Sequence, residues 1–182
     1  MHDTSQVKDE YEFTAKEVAY VIRANPRTII DWGGRGLVQA DIYQSKGQGS
    51  RNVYSVRNVV QMRVVQEFLH RGLTRSQVKN LFDWLERTRH AVFQRGLFDP
   101  DTGAGKDPRW VYWLNRNQAK FWGVMELSSD RPPRCFPHAP DQVLRADSLV
   151  TVNVGQLKQE IMRVIGYSLC TADTLTDWFV NL

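Results

Sequence analysis

The sequence has few features that would place it in a specialised class. Two cysteines among 182 residues, Cys135 and Cys170, are too few for a disulfide scaffold and fit a reducing compartment. No segment reaches the roughly 18 uninterrupted apolar residues of a membrane-spanning helix. Residues 1–4 do not begin a basic segment followed by an apolar one, as a secretion signal does. We therefore expect a cytoplasmic protein with no membrane partner.

Motifs of enzymes and metalloproteins are also missing. The four histidines are scattered, and the chain has neither a glycine-rich phosphate loop nor a nucleophile elbow. The segment Cys135-Phe136-Pro137-His138 has a Cys-x-x-His spacing, but no second close pair of ligands accompanies it. The sequence predicts no catalytic residues, no metal site and no cofactor.

The basic residues are concentrated in one part of the chain. Hydrophobic residues make up 42% and charged residues 24% of the sequence, as in ordinary globular proteins. Residues 13–75 contain ten lysines and arginines and four acidic residues, a local balance of +6 in a chain whose net charge is +4. Such a segment is typical of a nucleic-acid-binding module, and ordinary solvated surface charge is the alternative.

Turn-forming residues divide the chain into two parts. Residues 99–108 combine prolines, glycines and aspartates, which favour a loop. We predict a mostly helical domain at 11–95, a linker at 96–108 and a small mixed domain at 109–182.

The first part has the pattern of a helix-turn-helix followed by a β-hairpin wing. Thr14 and Glu17 form a capping box for one helix, and Pro26 suits the first turn of a second helix that ends at Gly33-Gly34-Arg35-Gly36. Residues 38–42 and 52–54 are predicted strands around a polar loop at 44–51. A long helix is then expected from Ser55 to Gly72, and another from residue 74 to about 94.

This order of elements resembles the amino-terminal domain of the MerR family of bacterial transcription regulators. The resemblance covers roughly residues 11–86. It rests on Phe13-Thr14-Ala15-Lys16-Glu17-Val18-Ala19, Pro26-Arg27-Thr28-Ile29, Gly36-Leu37-Val38, Arg51-Asn52-Val53-Tyr54-Ser55, and the helix at 59–68 with its stop at 69–74. Three positions differ from what is usual in the family: Ile30 and Asp31 replace an arginine and an aromatic residue, and Asn58 replaces an acidic residue. An aspartate that faced DNA would repel it.

The resemblance implies a DNA-binding face. Residues early on the second helix would reach base edges or phosphates, wing residues would hold the DNA backbone, and the other basic residues would add affinity for any sequence. The implied contacts are Lys16, Arg27, Thr28, Arg35, Lys46, Arg51, Asn52, Tyr54 and Arg57. Trp32 is expected to pack in the core.

The second part predicts a small antiparallel sheet with a helix, so the fold class is α+β. Runs at 109–114, 120–127 and 149–154 are rich in β-branched and aromatic residues, and a helix is predicted from Gly155. The aromatic residues could line a ligand pocket, pack a small core, mediate dimerisation or bind a second protein such as RNA polymerase. The candidate surface comprises Trp110, Tyr112, Trp113, Trp122, Trp178 and Phe179. The last two could instead fold back onto the sheet.

Two functions follow from these patterns. The first is a transcription regulator that binds duplex DNA as a homodimer on an inverted repeat, because a two-fold symmetric protein matches a palindromic site. The alternative is an architectural or adaptor subunit of a larger assembly, similar to an excisionase or an antitoxin.

Overall fold

A computed structural model describes residues 11–45, 51–87, 97–98, 109–116, 119–126, 134–138 and 140–170. The chain forms two compact units, residues 1–99 and 100–182. The first unit contains α1 (Ala15–Ile22), α2 (Pro26–Gly34), α3 (Val56–His70) and α4 (Arg75–Arg87). The second contains β1 (Arg109–Arg116), β2 (Ala119–Glu126), β3 (Arg134–Phe136), α5 (Pro140–Leu144), β4 (Ser148–Asn153) and α6 (Val154–Cys170). The predicted α+β class is confirmed.

Local capping determines where α1 and α2 begin. The Thr14 backbone N–H donates to Glu17 Oε2 at 2.6 Å, and the Glu17 N–H donates to Thr14 Oγ1, which completes the predicted capping box. Arg23 ends α1 in the left-handed region, with φ of 55°. Asn25 then caps α2 by accepting from the Arg27 N–H at 2.9 Å. The two helices form the predicted helix-turn-helix.

Helix α3 is the central element of the first unit. Ser55 caps it, as predicted, and Val59, Val64 and Phe68 are among its fully buried side chains. The helix is followed by Gly72 at φ of 87°, a conformation that favours glycine. Reciprocal bonds between Thr74 and Gln77 then open α4, also as predicted. The predicted continuation of α4 to residue 94 lies outside the described residues.

The predicted strand at 38–42 is wrong. The described part of the wing has a single bridge between Tyr43 and Val53, with N–H to O distances of 2.9 and 3.2 Å, and Tyr54 pairs separately with Phe13. Residues before Tyr43 bond to α3 instead, because the Asp41 N–H donates to Asn58 Oδ1 at 3.0 Å. Hydrogen bonds between side chains and the backbone, such as this one, compete with the backbone hydrogen bonds that pair two strands. The wing tip, residues 46–50, lies outside the described residues.

The second unit is an antiparallel sheet in the order β3-β2-β1-β4. The predicted strands correspond to β1, β2 and β4, whereas β3 and α5 lie in or next to a proline-rich stretch, residues 130–140, for which no element is predicted. A strand of three residues has too few positions to show an alternating pattern. Its pairing with β2, Met125 opposite Cys135, makes it a strand.

Apolar residues are buried on both faces of this sheet. On one face, Tyr112 and Leu114 of β1 pack with Val143 of α5 in a buried cluster. The other face carries the neighbouring residues Val111, Val124 and Val152, all buried, and α6 packs against β1. The buried side of α6 comprises Leu157, Ile161 and Ile165. In the part of the chain that the structure describes, no helix is both long and apolar enough to cross a membrane.

Candidate nucleic-acid interface

The first unit contains a cleft of about 670 Å³ between the start of α1, α2 and the wing. Lys16 lines it from α1, Ile30 and Gly34 line it from α2, and Arg51 and Asn52 line it from the wing. Three separate segments of the fold therefore bring polar and basic side chains to one concave surface.

Helix α2 presents one side to solvent and the other to the core. Ile29 and Trp32 are buried, whereas Arg27, Ile30 and Gly34 are exposed. These exposed positions are three and four residues apart, so they share one face of the helix. Burial of Trp32 confirms its predicted place in the core.

The wing approaches α2 closely at Gly33. A Cβ added to Gly33 would lie 3.1 Å from the Tyr54 hydroxyl oxygen and 3.4 Å from Asn52 Nδ2. Asn52 Nδ2 donates to the Tyr54 hydroxyl at 3.2 Å, and Asn52 Oδ1 accepts from the Ser45 N–H at 2.7 Å. Glycine at position 33 thus lets these two wing side chains rest against the helix.

Tyr54, one of the predicted contacts, belongs to the wall of the cleft. Its side chain is fully buried, so the ring has no surface to offer DNA in this conformation. Its hydroxyl instead holds Asn52, which is half-buried at the cleft. Arg51, by contrast, is exposed at the cleft.

Every acidic residue between positions 13 and 75 is engaged within the unit. Asp31 pairs with Arg35 at 2.5 Å and with Arg75 of α4 at 3.2 Å. Glu17 belongs to the capping box, Asp41 Oδ2 accepts from Ser55 Oγ at 2.6 Å, and Glu67 pairs with two arginines of its own helix region. The predicted repulsion by Asp31 is therefore offset by two cations.

The predicted contact residues do not all meet in one place. Lys16, Arg51, Asn52 and Tyr54 line the cleft, and the exposed Arg27 lies on the adjoining face of α2. The others do not line it: Thr28 is half-buried, Arg35 is exposed and paired with Asp31, and Arg57 is exposed on the first turn of α3. Lys46 lies outside the described residues.

Sequence reasoning missed several residues that line the cleft. The sequence pattern marks Ile30 only as a departure from the family, and Gly33 and Gly34 only as the end of a helix. One feature of the sequence could have identified them. Once Ile29 and Trp32 are assigned to the core, the opposite side of α2 carries an isoleucine and two glycines in place of charged residues.

The aromatic residues of the second unit lie on both faces of the sheet. Trp110 and Tyr112 share one face of β1, whereas Trp113, opposite Trp122 of β2, lies on the other. Tyr112 and Trp122 are buried, and Trp110 and Trp113 are half-buried. These four residues therefore do not line a single pocket. Trp178 and Phe179 lie outside the described residues.

Cys135 and His138 of the predicted Cys-x-x-His spacing lie in β3 and just after it. Tyr112 Oη lies 3.1 Å from His138 Nδ1, and the Phe121 ring meets the His138 ring edge-on at 5.0 Å between centroids. Burial raises the pKa of the Cys135 thiol above its ordinary value. Among the described residues, no three His, Cys, Asp or Glu side chains come together as a potential metal site.

Comparison with known proteins confirms the resemblance for the first unit. Residues 13–84 match the family model of the MerR HTH family regulatory protein. The match supports a DNA-binding regulatory module in this part of the chain, and residues 85–182 lie outside it.

One solved structure adds a distant similarity. A transcriptional regulator of the MerR family from Bacillus cereus is 19% identical over 48% of this chain and 66% of that one, with a TM-score of 0.35. The similarity thus spans just under two thirds of that protein. No curated protein has a sequence that matches this chain.

Proposed function

We propose that this protein is a cytoplasmic transcription regulator that binds duplex DNA as a homodimer on an inverted repeat. The observation that carries the proposal is the cleft of the first unit, where Lys16 and Arg51 flank the exposed face of α2 within the region that matches the MerR model. The acidic residues of this region are engaged elsewhere, so the cleft presents positive charge to a polyanion.

The dimensions of α2 suit a DNA groove. An α-helix with its side chains is about 10–12 Å across, and the major groove is about 12 Å wide, so the exposed side of α2 can lie along base edges. Lys16 and Arg51, on either side of the cleft, would contact phosphates, which provides affinity without sequence preference. Sequence reading would then come from the side chains of α2 itself.

The second unit supplies the protein contacts in this proposal. We propose that residues 109–182, which lie outside the family match, make the contact with a second copy or with RNA polymerase. The half-buried Trp110 and Trp113 belong to this proposed surface.

Selection of bound fragments from sheared genomic DNA tests the proposal. It is done at about 0.15 M salt, because lower salt strengthens binding to any phosphate backbone. We expect enrichment of an inverted repeat whose half-sites are about 10 base pairs apart, or a multiple of that spacing. If the folded protein enriches no sequence, the proposed function as a transcription regulator is wrong.

Single substitutions test the assigned face. Arg27→Ala and Arg51→Ala should weaken binding while leaving the protein folded, and the slope of log K against log salt should become shallower by about 0.9 for each phosphate that is no longer neutralised. Arg71→Ala serves as the control, because it removes the same charge from the residue that follows α3 and does not line the cleft. Wild-type affinity in both Arg27→Ala and Arg51→Ala would remove the assigned face.

Light scattering, with and without a short duplex, tests the stoichiometry. A stable dimer on one duplex supports the regulator. A monomer that binds DNA only together with another protein supports the adaptor alternative and overturns the homodimer.

A further inference from the structure

Ile30 is an apolar side chain in the middle of the proposed DNA-binding face. It is 60% exposed, the largest exposure among the exposed large hydrophobic residues of the described chain. It lines the cleft together with Lys16 and Arg51 and shares the outer face of α2 with Arg27. The core side of α2 is formed by Ile29 and Trp32, and Ile30 is not among the buried residues of the helix.

The surroundings of Ile30 indicate what would cover it. The neighbouring Asp31 carboxylate is bridged by Arg35 and Arg75, which removes the negative charge next to Ile30. The partner of this face must therefore carry negative charge at its edges and an apolar group at its centre. The major groove has this arrangement wherever a thymine presents its C5-methyl group between two phosphate backbones.

The helix face next to Ile30 also allows close approach. Gly34 lies one turn further along the same side, and a Cβ added there would meet no other atom of the protein within 4 Å. The space outside Gly34 is therefore open, and a base pair can come close to the helix at this end.

We infer that Ile30 is a specificity-determining residue that contacts the C5-methyl group of a thymine in the major groove. The inference rests on the proposed function, since it names the base that α2 reads once it lies in the groove. Removal of a methyl group from water favours binding only when the base is thymine, so the contact discriminates thymine from cytosine at one position of each half-site.

Uracil substitution tests this contact directly, because uracil differs from thymine only by the missing methyl group. A duplex with the selected sequence is synthesised with each thymine replaced by deoxyuridine in turn. Fluorescence anisotropy at about 0.15 M salt then gives the Kd for the wild type, for Ile30→Ala and for Ile42→Ala. Ile42 lies in the first unit, is 37% exposed and does not line the cleft, so its substitution is a matched control for loss of an exposed isoleucine.

We expect one thymine in each half-site at which uracil weakens wild-type binding by about fourfold, the loss that corresponds to one methylene-sized apolar group. In Ile30→Ala the same replacement should have no effect, whereas Ile42→Ala should respond to uracil as the wild type does. Because Ile30 is exposed, Ile30→Ala should unfold at the same temperature as the wild type.

Two other results have separate meanings. The inference is overturned if Ile30→Ala and the wild type respond equally to uracil at every position, or if the selected half-site contains no thymine. Neither result contradicts the proposed function as a transcription regulator. If the folded wild type selects no sequence at all, the proposed function itself fails, and the inference fails with it.

Discussion

The ring of Tyr112 lies directly over Gly123, its partner on the neighbouring strand. A Cβ added at Gly123 would collide with the Tyr112 ring and would come within 2.6 Å of the Phe136 carbonyl oxygen. The Tyr112 hydroxyl reaches across the same glycine to donate to that carbonyl at 3.3 Å. Because Gly123 has no side chain, Tyr112 of β1 can reach past β2 and hydrogen-bond to the backbone at the end of β3.

Gly123→Ala should destabilise the second unit. Both atoms that the new methyl group would meet are buried or fixed in the backbone, so we expect a loss of about 1–3 kcal/mol in the free energy of unfolding. Each kcal/mol lowers Tm by roughly 4–8 °C in a unit of this size. Hydrogen exchange should show faster opening of β1 and β2.

Gly166→Ala is the matched control for that substitution. A Cβ at Gly166 of α6 would meet nothing within 4 Å, and alanine favours a helix interior by up to about 1 kcal/mol. We expect Gly166→Ala to raise Tm slightly. Equal Tm values for Gly123→Ala and the wild type would show that the Tyr112 ring can move aside.

Stability should fall on acidification because of His138. Burial lowers the pKa of His138 below its ordinary value of 6.5, so the unfolded chain binds a proton that the folded chain does not. Stability is then unaffected by this group above about pH 6.5 and decreases as the pH falls from there through the folded pKa. Tm measured from pH 7.5 to pH 5 should decline less steeply for His138→Gln than for the wild type.

His70→Gln controls for the loss of a histidine, because His70 is exposed at the end of α3. The difference between the two variants then isolates the contribution of His138. A His138→Gln profile identical to the wild type would contradict the assignment.

Asn58→Asp should destabilise the first unit. Asn58 is 2% exposed, and its Nδ2 donates to the Gln39 carbonyl at 3.1 Å and to Gln61 Oε1 at 2.8 Å. A carboxylate cannot donate either bond, so we expect a loss of about 1–3 kcal/mol, measured by denaturant unfolding. Unchanged stability would mean that both acceptors find other donors. An amide therefore suits this position better than the acid that is usual in the family.

Asp31→Asn should strengthen DNA binding at low salt. The substitution frees the charges of Arg35 and Arg75 from their pairs with Asp31 and removes a negative charge from α2. Anisotropy titrations should show a lower Kd and a steeper dependence on salt. Asp83→Asn is the control, because it breaks a similar pair with Lys79 on α4. Equal effects of the two substitutions would mean that only net charge matters.

The sequence alone determined where the helices of the first unit begin. Thr14 and Glu17 cap α1, Asn25 and Pro26 start α2, and Thr74 and Gln77 cap α4. Each of these signals acts within one turn of the helix, so neighbouring residues contain it completely. The three longer strands were predictable for the same reason, since their β-branched and aromatic runs are local patterns.

The tertiary structure decided the features that depend on distant residues. Asp31 was predicted to oppose DNA, and Arg75 of α4 pairs with it only because the fold brings α4 beside α2. Residues 38–42 were predicted as a strand, and Asn58 of α3 holds them in another conformation. β3 exists through its pairing with β2. Contacts between residues far apart in the chain form when the core packs, so no short stretch of sequence encodes them.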